Sequence, residues 1–311
     1  MSYLTAFVIK LERRYLFKTV EHCNMCNDPA GGHKVLGRRL DRSQGKNPRN
    51  KKGILTTVAK CTNCGLVYSN PQPIPNSIGD HYDVPPEEYW KETYFEIDPT
   101  YFKQEIDTLK SLNSFKPGDK ALDIGAGLGK CMIALRNAGF EVKGIEPSES
   151  FYSRAIEKMN VSAEDLQLNS IESANFPEEH FDFITFGAVL EHLYDPSMSI
   201  SKSMRWLKKG GIMHIEVPSS DWLINKLSNL FYRIQGLDYV ANISPMHEPY
   251  HLYEFSLNSF RQNGQINDYE VLHHQYFVCP TYMPKVFDFF LIPFMKYTKT
   301  GMQLCVWLRK R

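Results

Sequence analysis

Apolar positions recur along this chain with two different periods, and each period predicts an element. Phe102, Ile106, Leu109 and Leu112 return at spacings of four, three and three, the stripe of an amphipathic helix, with Asp98 as its cap and Pro99 suited to its first turn. The stretch KALDIGAGLGKCMIALRNAGFEVKGIEPS (120–148) reads as a strand, a glycine-rich turn, a helix ending at Gly139 and a second strand that stops at the acidic Glu146. FDFITFG (181–187) and GGIMHIEVP (210–218) supply further strands, with a helical pattern from about Ser197 to Leu207 between them. DWLINKLSNLFYRIQGLDYV (221–240) predicts a helical insertion in which Trp222, Phe231 and Tyr232 serve first as packing. The C-terminal KVFDFFLIPFMKYTKTGMQLCVWLRKR predicts a helix joining the last two strands, MQLCVWL being the final one; a helix lying on a membrane surface is the other reading of the same stretch. Strands alternating with helices imply an α/β, doubly wound and mostly parallel sheet, with its ligand at the carboxyl ends of the strands.

Ahead of this alternation the pattern changes. KCTNCGLVYSNPQP (60–73) and the proline-rich stretch after it place a boundary near residue 85, so that residues 1–85 form an N-terminal module, 86–115 a helical connector and 116–311 the main domain, with a lid insertion around 221–260. Cysteine usage says what the module holds. Of seven cysteines, Cys23 and Cys26 form one CxxC, Cys61 and Cys64 a second, and Cys131, Cys279 and Cys305 stand singly among apolar neighbours as small buried hydrophobes. Two CxxC turns flanked by Asn, Gly and Pro supply the four thiolates of a closed, structural Zn2+ site. A redox pair, in contrast, usually stands alone beside a βαβ unit.

Charge narrows the picture less. The 311 residues carry a formal net charge of +1, which gives no global pull toward nucleic acid or an anionic membrane. A hydrophobic content of 42% suffices for a sizeable core. No window reaches the length of a membrane-spanning helix, and Lys10 interrupts the apolar N-terminus, so the expected location is the cytoplasm. One basic stretch stands out. Residues 33–53 carry eight Lys or Arg against the single Asp41, which fits a solvated loop or, functionally, a clamp for phosphate groups on a nucleotide-linked substrate or on RNA.

The glycine turn limits the ligand. A dinucleotide fingerprint needs G-x-G-x-x-G, whereas Gly125, Gly127 and Gly129 fall at alternate positions and Lys130 stands where the third glycine belongs. The order D-x-G-x-G-x-G suits a nucleoside without a pyrophosphate, whose amino-acid tail needs close backbone approach. S-adenosylmethionine fits, with Asp123 orienting the tail and Glu146 accepting from the ribose hydroxyls.

LDIGAGLGK, GIEPS, FDFITFGAVLEHLYDP, LKKGGIMHIEVPSSDW and HLYEFSLNSF, in that order, resemble the class I S-adenosylmethionine-dependent methyltransferases over residues 116–311. CTNCGLVYSNPQP resembles the subgroup that carries an N-terminal zinc-binding module and includes enzymes methylating sugars and other small metabolites. The resemblance implies a Rossmann-like seven-stranded sheet. It implies a cofactor loop of Asp123, Gly125, Ala126, Gly127 and Gly129, Glu146 at the ribose, and the backbone of Phe186 and Gly187 at the methionine end. Ser170 falls where many relatives have an aspartate near the adenine. AVLEHLYDP is similar to the E-x-x-E-H metal motif of some quinone O-methyltransferases, with Ala188 in place of the first carboxylate, which argues against a catalytic magnesium.

The acceptor expected from these features is a sugar, nucleotide-sugar or glycan-related metabolite, methylated on oxygen or carbon. An RNA methyltransferase, a methyltransferase of another natural product or lipid-linked acceptor, and a silent binding module are the alternatives. The near-neutral charge and the lack of an N-P-P-[YF] tetrapeptide argue against RNA, and the intact cofactor loop argues against a silent module. A base would come from His251, His247 or His192, in that order, whereas His214 alternates inside a strand as a core residue. Nothing in the sequence fixes the oligomeric state.

Overall fold

The computed structural model describes residues 15–42, 49, 52–75, 90–281 and 285–311. The N-terminal part opens with five strands: β1 (Tyr15–Lys18), β2 (Lys34–Leu40), β3 (Leu55–Lys60), β4 (Val67–Asn70) and β5 (Gln72–Pro75). The expected boundary near residue 85 lies outside the described residues, and so does part of the basic stretch.

The predicted connector helix is present as α1 (Lys103–Leu112), with Ile106 and Leu109 buried on its inner face. It starts later than its cap signal suggested. Asp98 Oδ1 instead accepts from the backbone N–H and the hydroxyl of Thr100 in a local turn, and Phe102 is the residue before the helix, in a left-handed conformation at φ 59°. Packing decides this start, because the Phe102 ring meets His214 edge-on at 5.4 Å.

The alternating region follows as β6 (Lys120–Ile124), α2 (Lys130–Asn137), β7 (Glu141–Glu146), α3 (Glu149–Met159), β8 (Leu166–Leu168), β9 (Phe181–Gly187), α4 (Pro196–Trp206) and β10 (Leu207–Pro218). After these come α5 (Leu223–Ile234), β11 (Tyr253–Glu254), α6 (Leu257–Ile266), β12 (Tyr269–Phe277), α7 (Lys285–Thr298) and β13 (Gln303–Lys310). The main sheet has seven strands in the order β12-β13-β10-β9-β6-β7-β8, all parallel except β13, which runs antiparallel to both neighbours. Helices cover the sheet, so its central strands are apolar on both faces: Leu122, Ile124, Phe183, Ile184, Phe186, Met213 and Ile215 are almost fully buried. Chain order reverses between β6 and β9, and the strand ends at that switch point open the crevice where ligands of such sheets bind. Among the described residues, no helix is long and apolar enough to cross a membrane. The C-terminal stretch forms the linking helix α7 and the last strand as expected, but α7 buries only Met295 and leaves Phe289, Phe290 and Tyr297 largely exposed.

The N-terminal part is built into the same core. β11 belongs to the lid segment, yet it pairs antiparallel with β4, Tyr253 opposite Tyr68 and Glu254 opposite Val67, and completes a sheet in the order β11-β4-β3-β2. Leu66, Tyr68 and Met25 pack in one apolar cluster with Phe186, Leu190, Leu252 and Phe255. Ser256 joins the two parts. Its Oγ accepts from the Ser259 N–H at 3.0 Å, capping α6, and donates to the Cys64 carbonyl at 2.5 Å. Replacing Ser256 by Ala removes both bonds at a buried site, and a loss of about 1 to 2 kcal/mol is expected in chemical denaturation.

Candidate functional site

Two clusters and one cavity sit around the carboxyl ends of β6, β7 and β9. In the first cluster the two CxxC turns face each other. Cys23 Sγ lies 3.5 Å from Cys64 Sγ, Cys26 Sγ lies 3.6 Å from Cys61 Sγ, and all four sulfurs fall within 4.8 Å of one another. Four ligands at about 2.3 Å from a tetrahedral zinc stand about 3.8 Å apart, so the set has the dimensions of such a site. Each turn is closed by its own backbone: Asn27 N–H donates to Cys23 O at 2.9 Å and Gly65 N–H to Cys61 O at 3.0 Å.

The glycine loop between β6 and α2 forms the second cluster, and its glycines do different work. A Cβ on Gly125 would meet Val189 at 2.4 Å and one on Gly129 would meet Val161 at 2.6 Å, so close packing within the protein excludes side chains there. At Gly127, with φ +54°, a Cβ would meet nothing within 4 Å. That open space leaves room for a ligand. Gly125 and Ala126 both donate their N–H groups to Ile145 O, fixing the loop against β7. Glu146, 6% exposed, accepts from Gly127 N–H through Oε2 at 2.7 Å and from Ser148 N–H through Oε1 at 2.8 Å. It therefore braces the loop, a duty that the sequence did not reveal.

Asp123, one residue before the end of β6, is buried at 3% exposure. Burial, followed by repulsion from Glu146, raises its carboxyl to about 7, and Oδ2 has no hydrogen-bond partner among the described residues. An orphaned buried oxygen beside an open glycine cradle fits the charged tail of S-adenosylmethionine. Asn169 N–H donates to Glu146 O at 3.0 Å, which brings Asn169 and Ser170 to the end of β7, where the adenine is expected. Gly187, at the end of β9, also has open space where a Cβ would stand, whereas the Phe186 side chain is wholly buried and only its backbone can face a ligand.

A cavity of about 720 Å³ adjoins this strand end. Ala188, Glu191 and His251 line one part, Trp222, Asn225, Ser228 and Tyr232 come from the predicted lid, and Arg39, Tyr239, Ser244 and His247 complete it. The three candidate histidines occupy different environments. His251 lines the cavity with Nε2 at 3.8 Å from Glu191 Oε1. Burial lowers its imidazole to about 3, with His192 adding to the effect, and burial raises the Glu191 carboxyl to about 8. Both shifts favour the uncharged form. His192 is not among the lining residues and stacks edge-on against His251, ring centroids 5.1 Å apart. Glu191, His192 and His251 each bring a ligand-capable atom within 4.8 Å of the others, and these donors could hold a cation.

His247 lines the cavity in a fixed tautomer. Its Nδ1 lies 2.9 Å from the Glu248 carbonyl, which can only accept, so Nδ1 carries the proton; Nε2 then accepts from Arg39 Nη2 at 3.0 Å. Its one lone pair is occupied. His214 is fully buried, bonded to Thr185 Oγ1 at 3.0 Å through Nδ1, as expected of a core residue.

The sequence reading did not single out Arg39, Glu191 or Glu254. Arg39 was hidden in a basic run whose charges look alike, and Glu254 in a two-residue strand. Glu254 is buried, accepts from Asn225, Asn242 and the Ile243 N–H, and is held up at about 7 by burial.

Residues 94–274 match the family described as methyltransferase domain. A ubiquinone biosynthesis O-methyltransferase of Bradyrhizobium sp. (strain ORS 278) is 32% identical over 44% of this chain and 52% of its own length. A ubiquinone biosynthesis O-methyltransferase of Coxiella burnetii (strain Dugway 5J108-111) is 32% identical over 47% of this chain and 57% of its own. The chain thus spans about half the length of the curated relatives it matches. An S-adenosylmethionine-dependent methyltransferase from Mesorhizobium loti of known structure aligns with a TM-score of 0.47 at 14% identity, covering 66% of this chain and 97% of that one. With a matched segment that takes in the glycine loop, Glu146, the end of β9 and His251, the chain belongs to the methyltransferase domain family.

Proposed function

We propose that this protein transfers the methyl group of S-adenosylmethionine to a small-molecule acceptor held in the cavity beside β9. The open cradle at Gly127 next to the unpartnered Asp123 Oδ2 carries the reading, because the residues fit the cofactor's tail and leave it space. When bound, the cofactor supplies an electrophilic methyl on sulfur. The chain contributes position. Glu146 holds the loop and the ribose, Asp123 the tail, and the backbone at Gly187 and Ala188 adjoins the acceptor cavity.

His251 serves as the base that takes the acceptor's proton, since its neutral imidazole faces the cavity, with Glu191 Oε1 3.8 Å from its Nε2. His247, its lone pair engaged by Arg39, positions rather than abstracts. The His251→Ala variant is expected to lose about 100-fold or more in turnover with cofactor affinity nearly unchanged. Turnover within a few-fold of the parent would move the role to His192.

The acceptor class remains a sugar, nucleotide-sugar or glycan-related metabolite, O- or C-methylated. Rings at Trp222, Tyr232 and Tyr239 interleave with Asn225, Ser228 and Ser244, a surface suited to a hydroxylated ring. Incubation with methyl-labelled cofactor and separate pools of nucleotide-sugars, lipid-linked glycans, RNA and peptides tests it; label confined to RNA or peptide would overturn the small-molecule reading. Cys23, Cys26, Cys61 and Cys64 would hold a structural zinc, and four zinc-bound thiolates suit the reducing cytoplasm.

A further inference from the structure

Arg39 lies on β2, and only 6% of it is exposed. Its sequence neighbours Arg38 and Arg42 are surface cations that pair with Asp238 and Asp41. Arg39 has no such pair. Nη1 donates to the Tyr239 hydroxyl and the Val240 carbonyl and Nη2 to His247 Nε2, all of them neutral acceptors, while the Nε–H has no acceptor among the described residues. Glu254 is the carboxylate whose charge reaches it, but among the described residues no ion pair within 4.0 Å involves Arg39. Glu254 is moreover committed elsewhere: its two oxygens take N–H bonds from Asn225, Asn242 and Ile243. Burial works against the guanidinium, yet an arginine stays charged in any protein interior. A buried cation normally brings its counter-ion along, because its desolvation is otherwise uncompensated.

The same side chain lines the cavity that Ala188 and Glu191 reach from the end of β9. We propose that the missing counter-charge arrives with the acceptor, so that a carboxylate or phosphate group of the acceptor docks on Arg39. The inference rests on the methyltransferase reading and narrows its acceptor to an anion. A guanidinium suits this task because its planar N–H groups match either oxyanion, and here one edge is left unbonded at Nε. His247 becomes a positioning residue for it: the Glu248 carbonyl fixes its tautomer, and its lone pair holds Nη2 in place. Tyr239 also helps, its ring lying 5.1 Å from the guanidinium carbon.

The test uses the full chain saturated with S-adenosylhomocysteine, at constant ionic strength. Thermal unfolding is followed with acetate, inorganic phosphate and two neutral counterparts, acetamide and trimethyl phosphate. One of the two anions at ten times its dissociation constant should raise the midpoint by about 2 to 4 °C, and neither neutral compound should. The anion that responds names the group. Arg39→Gln should abolish the response and Arg39→Lys should keep part of it, with S-adenosylhomocysteine affinity within two-fold in both. Equal responses to acetate and acetamide, no response to either anion, or an undiminished response in Arg39→Gln would overturn the proposal. Failure of the parent protein to bind S-adenosylhomocysteine in calorimetry would instead overturn the methyltransferase reading. A fold damaged by the substitution shows itself as lost nucleoside binding, in which case Arg39→Lys decides.

Discussion

Gly127→Val is expected to abolish measurable binding of S-adenosylmethionine in calorimetric titration, a loss of at least 100-fold, while the protein stays folded. The two halves of this outcome come from one geometry. A side chain at residue 127 would touch no protein atom within 4 Å, so nothing inside the fold resists it, but it would fill the space next to Asp123 and Glu146 that the cofactor's tail needs. The substitution does carry a backbone cost, because φ +54° is a left-handed conformation that a branched residue adopts at about 1 to 2 kcal/mol. Gly210 provides the control. It too has a left-handed φ, +76°, and open space at its Cβ, but it lies in β10 away from the cradle. Gly210→Val should lose comparable stability and bind the cofactor as the parent does. Parental affinity in Gly127→Val would place the cofactor elsewhere.

Protein purified without chelators is expected to carry one zinc per chain by elemental analysis, and the double variant Cys61→Ser, Cys64→Ser to carry none. The second effect should be larger than the loss of a metal. Structural zinc in small modules is worth about 10 to 16 kcal/mol in apparent free energy, as much as or more than the 5 to 15 kcal/mol that holds a whole domain together. Cys61 and Cys64 are 1% exposed and pack in the cluster that contains Phe186 and Leu190. Stripping the metal should therefore disorder the cavity wall around Arg39 and lower the affinity for acceptor before that for cofactor. Zinc retained in the double variant, or found absent from the parent, would reject the site.

Local signals made much of this legible. The two CxxC turns, the glycine loop and the carboxylate ending β7 each depend on residues close in sequence; in the structure the four sulfurs lie within 4.8 Å of one another and Glu146 accepts from the Gly127 N–H. Contacts between distant segments were not legible. β11 has two residues, too few to show a period, and only its partner in β4 makes it a strand. The start of α1 follows from the packing of Phe102 on His214, which no capping rule contains. The role of His247 depends on whether its basic nitrogen is free, and that nitrogen is occupied by an arginine 208 residues earlier.

The pairing of β11 with β4 bears on how the chain is made. During translation the cysteine turns emerge early and close to one another, and they can gather a metal while most of the protein is still unmade. The Gln72 side chain, in contrast, waits 181 residues for the Tyr253 hydroxyl that it bonds at 2.8 Å. Until then the edge of β4 stands open to any other nascent strand, the kind of exposure that invites aggregation. The cavity beside β9 has no complete wall before that moment, because Ser244, His251 and Glu254 are synthesised together with the strand that closes it. A ribosome-bound chain stopped just short of residue 253 should thus hold zinc but depend on a chaperone, whereas one extended beyond α6 should release it.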